Sequence, residues 1–262
     1  MISFSVKAAS LVIESSFTGE PMDLSTAKIE LSQKPVLPEH FEELITFDTQ
    51  TLILNSDIPS NDAPPPFTFQ EINSAFERGD GIYWLTSFNH QRIGYYWIEY
   101  RSDSLFLSGL AIATPFRNKK IGSQVLSWLD QVVEDKGLSS ISLAVVPLNY
   151  PAIHTYLKHG YQVVRCESDY FGDTCPNKFR LIMEKRRNSL FQFNHLSNSL
   201  RISCKNETQM TKASRDGYVG VALEWEPTPH DHKEGILVFK KPNDDFSLKY
   251  SVSSSLFDFQ DL

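Results

Sequence analysis

The sequence predicts an α/β chain of the α+β kind: a mixed, mostly antiparallel sheet flanked by helices, with a small β-rich C-terminal extension. Three observations carry this expectation. The aromatic and β-branched runs Ile82 to Thr86, Ile93 to Tyr100 and Leu105 to Ile112 are joined by short polar links, the pattern of an antiparallel meander. The apolar period then changes from two to 3.6, with Ile121, Val125, Trp128, Leu129, Val132 and Val133 on one helical face. Strand patterning returns after that helix, so the sheet is built on both sides of a crossover.

Taken in order, residues 1–27 carry scattered apolar positions broken by small polar residues and read as an N-terminal extension. Lys28 to Ser32 reads as a strand through Ile29 and Leu31, and Phe41, Leu44 and Ile45 have helical spacing. The run Asp62-Ala63-Pro64-Pro65-Pro66 is a stiff loop, since successive prolines fix φ and donate no backbone hydrogen bonds. Phe69, Ile72 and Phe76 then mark a helix that Gly79 stops before the meander. The long central helix ends at Lys136-Gly137, where a cation and a glycine suit a C-terminus. Ile141, Leu143 and Val145 alternate as a strand, Pro151 opens a helix that Gly160 ends, and Tyr161 to Cys166 and Phe179 to Met183 are strands. The central domain is thus 28–187. Residues 188–262 read as a β-rich extension with runs at Leu200 to Ser203, Val219 to Trp225 and Ile236 to Phe239, marginal for an independent core, and a polar tail from Ser251.

Composition narrows the function. The 262 residues hold 25 Lys and Arg against 32 Asp and Glu, a net charge of −7, which argues against a chain that coats nucleic-acid phosphates over its whole surface. No apolar run approaches the roughly 20 residues that cross a bilayer, so no membrane partner is expected. Three cysteines, Cys166, Cys175 and Cys204, lack C-x-x-C spacing, which points away from a disulfide framework or a zinc site and towards a reducing, cytoplasmic setting. His230-Asp231-His232 lacks a defined fourth ligand and reads as a solvated turn, so no metal is expected.

The chemistry lies between Leu105 and Tyr161. A strand runs into Thr114-Pro115-Phe116-Arg117-Asn118-Lys119-Lys120-Ile121-Gly122-Ser123, which opens the long helix. Unpaired N–H groups of a helix's first turn, the macrodipole and three cations together make an anion site suited to a pyrophosphate. Only Gly122 of a dinucleotide fingerprint is present, and no Walker sequence occurs. Downstream, Asn149, Ala152, Tyr156, Gly160 and Tyr161 follow a strand on one helix. Asn149 alone reads as an N-cap and Tyr156 alone as core filler.

Together these segments resemble the GNAT acyltransferase superfamily, whose R/Q-x-x-G-x-G/A loop and N-x-x-A-x-x-x-Y-x-x-x-G-F/Y segment match Arg117, Gly122, Asn149, Ala152, Tyr156, Gly160 and Tyr161, over roughly Lys28 to Glu184. The loop departs at its first glycine, which is Lys120 here; a side chain there crowds the ligand, takes an unfavourable backbone angle, or swings out to meet a phosphate.

The resemblance implies acetyl-CoA as co-substrate and transfer to an amine of unknown identity, with a homodimer left open. It implies that Ile112, Arg117, Asn118, Lys119, Lys120, Ile121, Gly122, Ser123, Asn149 and Tyr156 meet the cofactor. A bulge is expected in the Gly109-Leu110-Ala111-Ile112 stretch, freeing an N–H near Leu110 or Ala111 as oxyanion donor. Tyr156 is implied as the general acid. The carboxylate that many relatives carry before the bulge is absent from Ser108-Gly109, leaving Glu99, at the end of the preceding strand, as candidate base or as a solvent-facing residue. His154 lies two residues from Tyr156, off its helix face. The alternative to an N-acetyltransferase is a catalytically weak acyl-CoA-binding sensor or interaction module, motivated by Lys120 and the missing acid.

Overall fold

The aromatic meander forms the centre of one hydrogen-bonded sheet. The computed structural model describes residues 31–54, 65–87, 90–171, 179–187, 199–227 and 233–242. Its strands are β1 (Ser32–Pro35), β2 (Gly81–Thr86), β3 (Arg92–Arg101), β4 (Ser104–Ile112), β5 (Ser140–Val145), β6 (Gln162–Glu167), β7 (Arg180–Arg186), β8 (Ser199–Ser203), β9 (Val219–Pro227) and β10 (Lys233–Lys240). They pair in the order β1-β2-β3-β4-β5-β7-β6-β9-β10-β8. Among the described residues β4 and β5 are the one parallel pair. Connectivity requires it: a helical crossover, here α3 (Ile121–Asp135), returns the chain in the same direction.

Both faces are covered. On one, α1 (Phe41–Asp48) and α2 (Phe69–Arg78) press Phe41, Leu44, Ile72 and Ala75 onto Ile82, Trp84, Tyr95, Trp97 and Ala111. α2 is held by a capping box, in which Thr68 Oγ1 accepts from Glu71 N–H at 3.2 Å and Glu71 Oε2 accepts from Thr68 N–H at 2.7 Å. Helix α3 buries Val125, Leu126, Leu129 and Val133 and packs against β4 and β5. Each such aliphatic side chain contributes about 1.5–3 kcal/mol, which makes this helix a firm base for the loop before it. Helix α4 (Tyr150–Lys158) follows β5.

The expected central elements are present within a residue or two of their bounds. The first strand differs, since β1 begins at Ser32, and residues 28–30 of the expected run lie outside the described residues. So do the 1–27 extension, residues 62–64 of the proline loop, Cys175, His230-Asp231-His232 and the tail from Ser251.

The C-terminal extension, expected to be β-rich, also holds a helix, α5 (Glu207–Arg215). Its apolar stripe is sparse, with only Met210 and Ala213 buried, so periodicity barely registers. The readable signals are Asn206, whose side chain accepts from Gln209 N–H at 3.0 Å, and Gly217, at φ 81 past the C-terminus. Strands β9, β10 and β8 join the rest of the sheet through one residue pair, Val163 with Gly220.

At that junction a Cβ on Gly220 would lie 2.8 Å from Val163 Cβ, closer than real contacts allow. Gly220→Val is therefore expected to destabilise the chain by about 1–3 kcal/mol. A urea denaturation midpoint equal to wild type would show that this junction bears no packing load.

Candidate functional site

The parallel ladder is short. β4 and β5 pair from Ser104↔Ser140 to Leu107↔Leu143 and no further, although β4 continues to Ile112 and β5 to Val145. The cause is visible in the other ladder of β4. Trp97 pairs with Gly109 and Ile98 with Leu107, so Ser108 is the extra residue of a β-bulge, which bends its strand. The stretch expected to bulge, Gly109 to Ile112, begins just after this position. Ala113 N–H donates to Ile93 O at 2.9 Å, on the β3 side. By strand alternation the N–H groups of Leu110 and Ile112 face the opposite edge, where β5 has parted from β4.

The loop after β4 closes this gap at its open end. Asn118 and Lys120 both take left-handed backbone angles, φ 61 and φ 60. Lys120 thus keeps the conformation a glycine would supply, at a cost of about 1–2 kcal/mol for a residue with a Cβ. It is the N-cap of α3 and makes no side-chain capping bond, so the first-turn N–H groups of Ile121, Gly122 and Ser123 are not satisfied by that side chain. A Cβ on Gly122 would stand 3.7 Å from Ile112 Cδ1, ordinary contact, so the protein itself leaves room there. Lys119 Nζ lies 5.8 Å from the Phe116 ring centroid, and Lys120 is exposed. Arg117 serves the backbone: its Nε donates to Ile112 O at 3.0 Å and its Nη2 to Thr51 O at 2.9 Å. It fastens the end of β4 to the π-helical turn Thr49–Leu54.

Helix α4 follows β5 and packs against β9. Asn149 caps it, with Oδ1 accepting from Ala152 N–H at 3.3 Å. Tyr156 is buried, its ring centroid 5.8 Å from that of Tyr161, and burial pushes its phenol up to about 12. His154 is exposed on the same helix. Burial likewise pushes the Cys166 thiol up to about 12, which removes it as a ready nucleophile.

Glu99 reaches the bulge itself. Ser108 Oγ donates to its Oε1, while Arg101 Nη2 stands 3.2 Å from Oε2. The Glu99 side chain is 28% exposed. Beyond it, burial raises the Tyr170 phenol, and that group also feels Arg101, Glu99, Glu167 and Arg180. Residues past the end of β6 therefore approach β3 and β7 on this face. Among the described residues there is no cluster of three or more His, Cys, Asp or Glu able to hold a metal, and no helix is long and apolar enough to cross a membrane.

Sequence reasoning missed one pair. Asp48, at the end of α1, is 2% exposed and accepts a hydrogen bond from Tyr95 Oη. A Cβ on Gly109 would lie 3.1 Å from the Tyr95 ring and 3.4 Å from its hydroxyl and from Phe67, so this pair lies directly beside the bulge. Burial raises the Asp48 carboxyl to about 6 despite the Tyr95 bond and a backbone bond from Phe67. Asp48 ends an amphipathic helix in the sequence, and nothing near it announces a partner 47 positions away.

A bulged strand parts here from its parallel neighbour, and the N-cap residue of the helix that follows makes no side-chain capping bond. The model described as Acetyltransferase (GNAT) family matches residues 48–161, so that stretch is similar to a GNAT acetyltransferase domain, which supports acyl transfer from acetyl-CoA in general. A protein assigned as an acetyltransferase from Acinetobacter baylyi has the same fold at TM-score 0.50 and 9% identity, over 64% of this chain and 99% of that one. The ribosomal-protein-S18-alanine N-acetyltransferase of Escherichia coli gives TM-score 0.49 and 15% identity, over 62% and 99%. Ard1 of Thermoplasma volcanium gives 0.49 and 16%, over 60% and 97%. No curated protein sequence matches the chain.

The Asp48 carboxyl is protonated more readily in the folded chain, near 6, than at its ordinary 3.8. Its neutral form therefore stabilises the fold fully below about pH 3.8, and that contribution is lost as pH rises through 6. The ionised group costs about 3 kcal/mol at neutral pH, taking 1.36 kcal/mol per unit. Asp48→Asn should raise stability at pH 7.5 by about 1–3 kcal/mol, with the gain shrinking to nothing near pH 4. A gain that is flat from pH 4 to 8 in denaturant titrations would contradict the assignment.

Proposed function

We propose that the chain transfers the acetyl group of acetyl-CoA to a primary amine in one direct displacement, within a ternary complex and without an acyl-enzyme. The supporting observation is the stretch of β4 past Leu107 that does not pair with β5, with Ser108 and Glu99 at its start, while α4, the helix after β5, carries Tyr156. In this reading residues 28–187 hold the reaction, and 1–27 and 188–262 are extensions to it.

The donor set fits the co-substrate. The α3 N-terminus, with Asn118, Lys119, Lys120, Ile121, Gly122 and Ser123, receives the pyrophosphate, and Arg117 positions that loop through Thr51 and Ile112. The edge of Ile112 pairs with the amide of the pantetheine arm, beside Asn149. Leu110 N–H donates to the thioester oxygen as charge grows on it, an effect typically worth about 3 kcal/mol.

Glu99 takes the acceptor's ammonium proton through Ser108: the proton moves to Ser108 Oγ as the Ser108 proton moves to Glu99. The freed amine nitrogen bonds the acetyl carbon, the carbon–sulfur bond breaks, and Tyr156 donates its hydroxyl proton to the departing sulfur. The second proton that the nitrogen sheds on becoming an amide restores the Tyr156 hydroxyl, while Glu99 releases its proton to water. A phenol held near 12 donates uphill to a thiolate whose ordinary value is about 8.5, so its contribution belongs at the low end of general acid catalysis, about 10²-fold. Transfer to a cationic amine also suits the chain's net charge of −7, though only at short range.

Tyr156→Phe should lower kcat about 10²-fold at pH 7 while CoA affinity stays within about twofold. The assay is release of CoA thiol from acetyl-CoA with a lysine peptide, spermidine or glucosamine as acceptor; an unchanged rate removes Tyr156 from the chemistry. Glu99→Gln should lower kcat/KM about 10²-fold at pH 7, with the loss shrinking as pH approaches the acceptor's own value near 10.4, because the amine then arrives deprotonated. A rate profile parallel to wild type from pH 6.5 to 9.5 would rule Glu99 out as the base.

A further inference from the structure

We propose that the C-terminal strands set the position of α4 through a joint made of Tyr150, Trp225 and Gly235, and that Tyr156 is placed for proton donation by that joint. Tyr150 is the first residue of α4, directly after the capping Asn149. Its ring meets Trp225 edge-on, with centroids 5.1 Å apart and planes at 85°. Trp225 and Gly235 are cross-strand partners on β9 and β10. A Cβ on Gly235 would fall 2.5 Å from the Tyr150 ring, so the glycine is a notch into which that ring is seated. The notch is fixed from behind, because Gly235 O accepts from Cys204 N–H at 2.9 Å. A backbone hydrogen bond from Gly235 also reaches Tyr150, whose phenol burial raises.

Two of its three members, Trp225 and Gly235, lie outside the family-matched residues 48–161, yet they grip the helix that carries two of the anchors within that stretch. The helix's own fastening at that end is modest: the Asn149 cap is 3.3 Å long. Tyr156 lies six residues on, about 9 Å along the axis. A tilt of about 10° then moves it by about 1.5 Å, and a 1 Å misplacement suffices for losses of about 10²-fold. Trp225 is 46% exposed, so shortening it opens no core cavity and leaves the strands paired.

The inference rests on Tyr156 being the proton donor, and a double-mutant cycle on the full chain separates the two ideas. Trp225→Ala, Trp225→Phe, Tyr156→Phe and Trp225→Ala/Tyr156→Phe are assayed with acetyl-CoA and the fastest of the lysine peptide, spermidine and glucosamine. The joint predicts that Trp225→Ala lowers kcat about tenfold with the Kd for CoA within about twofold, and that Trp225→Phe restores it to within about threefold. It also predicts that the double variant is no slower than Tyr156→Phe alone, since both act through one group. Trp225→Ala at wild-type kcat, a loss that multiplies in the double variant, or Trp225→Phe no better than Trp225→Ala overturns the joint while a slow Tyr156→Phe leaves the reaction reading standing. A lowered melting temperature with kcat intact also overturns it, marking a merely structural contact. A Tyr156→Phe chain as fast as wild type, or a wild-type chain inactive with all three acceptors, overturns the underlying reading and the joint with it.

Discussion

The parting of β4 from β5 is the constraint on which the site depends. Two parallel strands joined by α3 would ordinarily pair along their length, leaving no edge amide for a ligand. Here pairing lasts four residues and then a single inserted residue, Ser108, bends β4 away. Gly109 follows where the bent strand passes so close to Tyr95 and Phe67 that a Cβ would stand only 3.1 to 3.4 Å from them and force them to shift. The same insertion that opens the edge also carries the hydroxyl that meets Glu99. One residue therefore both ends the pairing of β4 with β5 and meets Glu99; in the proposed reaction these become the binding edge and the proton path.

Around that gap the chain accepts two unfavourable terms. Lys120 holds a left-handed angle, and Asp48 stays ionised above about pH 6 in a nearly sealed position. Against a typical total stability of 5–15 kcal/mol, about 1–2 and about 3 kcal/mol are large. Local rules broken at a site, and kept elsewhere, are the signature of positions held for something other than stability. Arg117 donates to two carbonyls, those of Ile112 and Thr51, and so helps secure the loop's shape.

The elements of residues 69–186 are legible in the sequence because their apolar periods are strong and their stops are glycines at the expected turns. The motif around Arg117 to Gly122 and Asn149 to Tyr161 is legible because it is local. What stays hidden is long-range. Ser108 and Glu99 are nine positions apart on neighbouring strands, and only the register created by the bulge brings them together. Asp48 and Tyr95 are separated by two helices and a strand. Helix α5 is hidden for the opposite reason, since it buries two residues and leaves little for periodicity to detect.

Two carboxylates flank the bulge, and their surroundings assign them different roles. A base must return its proton to solvent in every turnover. Asp48 is 2% exposed and bonded to Tyr95, a poor position from which to exchange protons with water. Glu99, the base in the proposed reaction, is 28% exposed, paired with Arg101 and bonded to Ser108, so it can exchange with water directly. Exposure, which would count against Glu99 if strength of desolvated charge were the requirement, counts in its favour when turnover is. Asp48 then acts as an anchor: it orients the Tyr95 hydroxyl beneath Gly109, and so helps fix the bend from which the open edge of β4 begins.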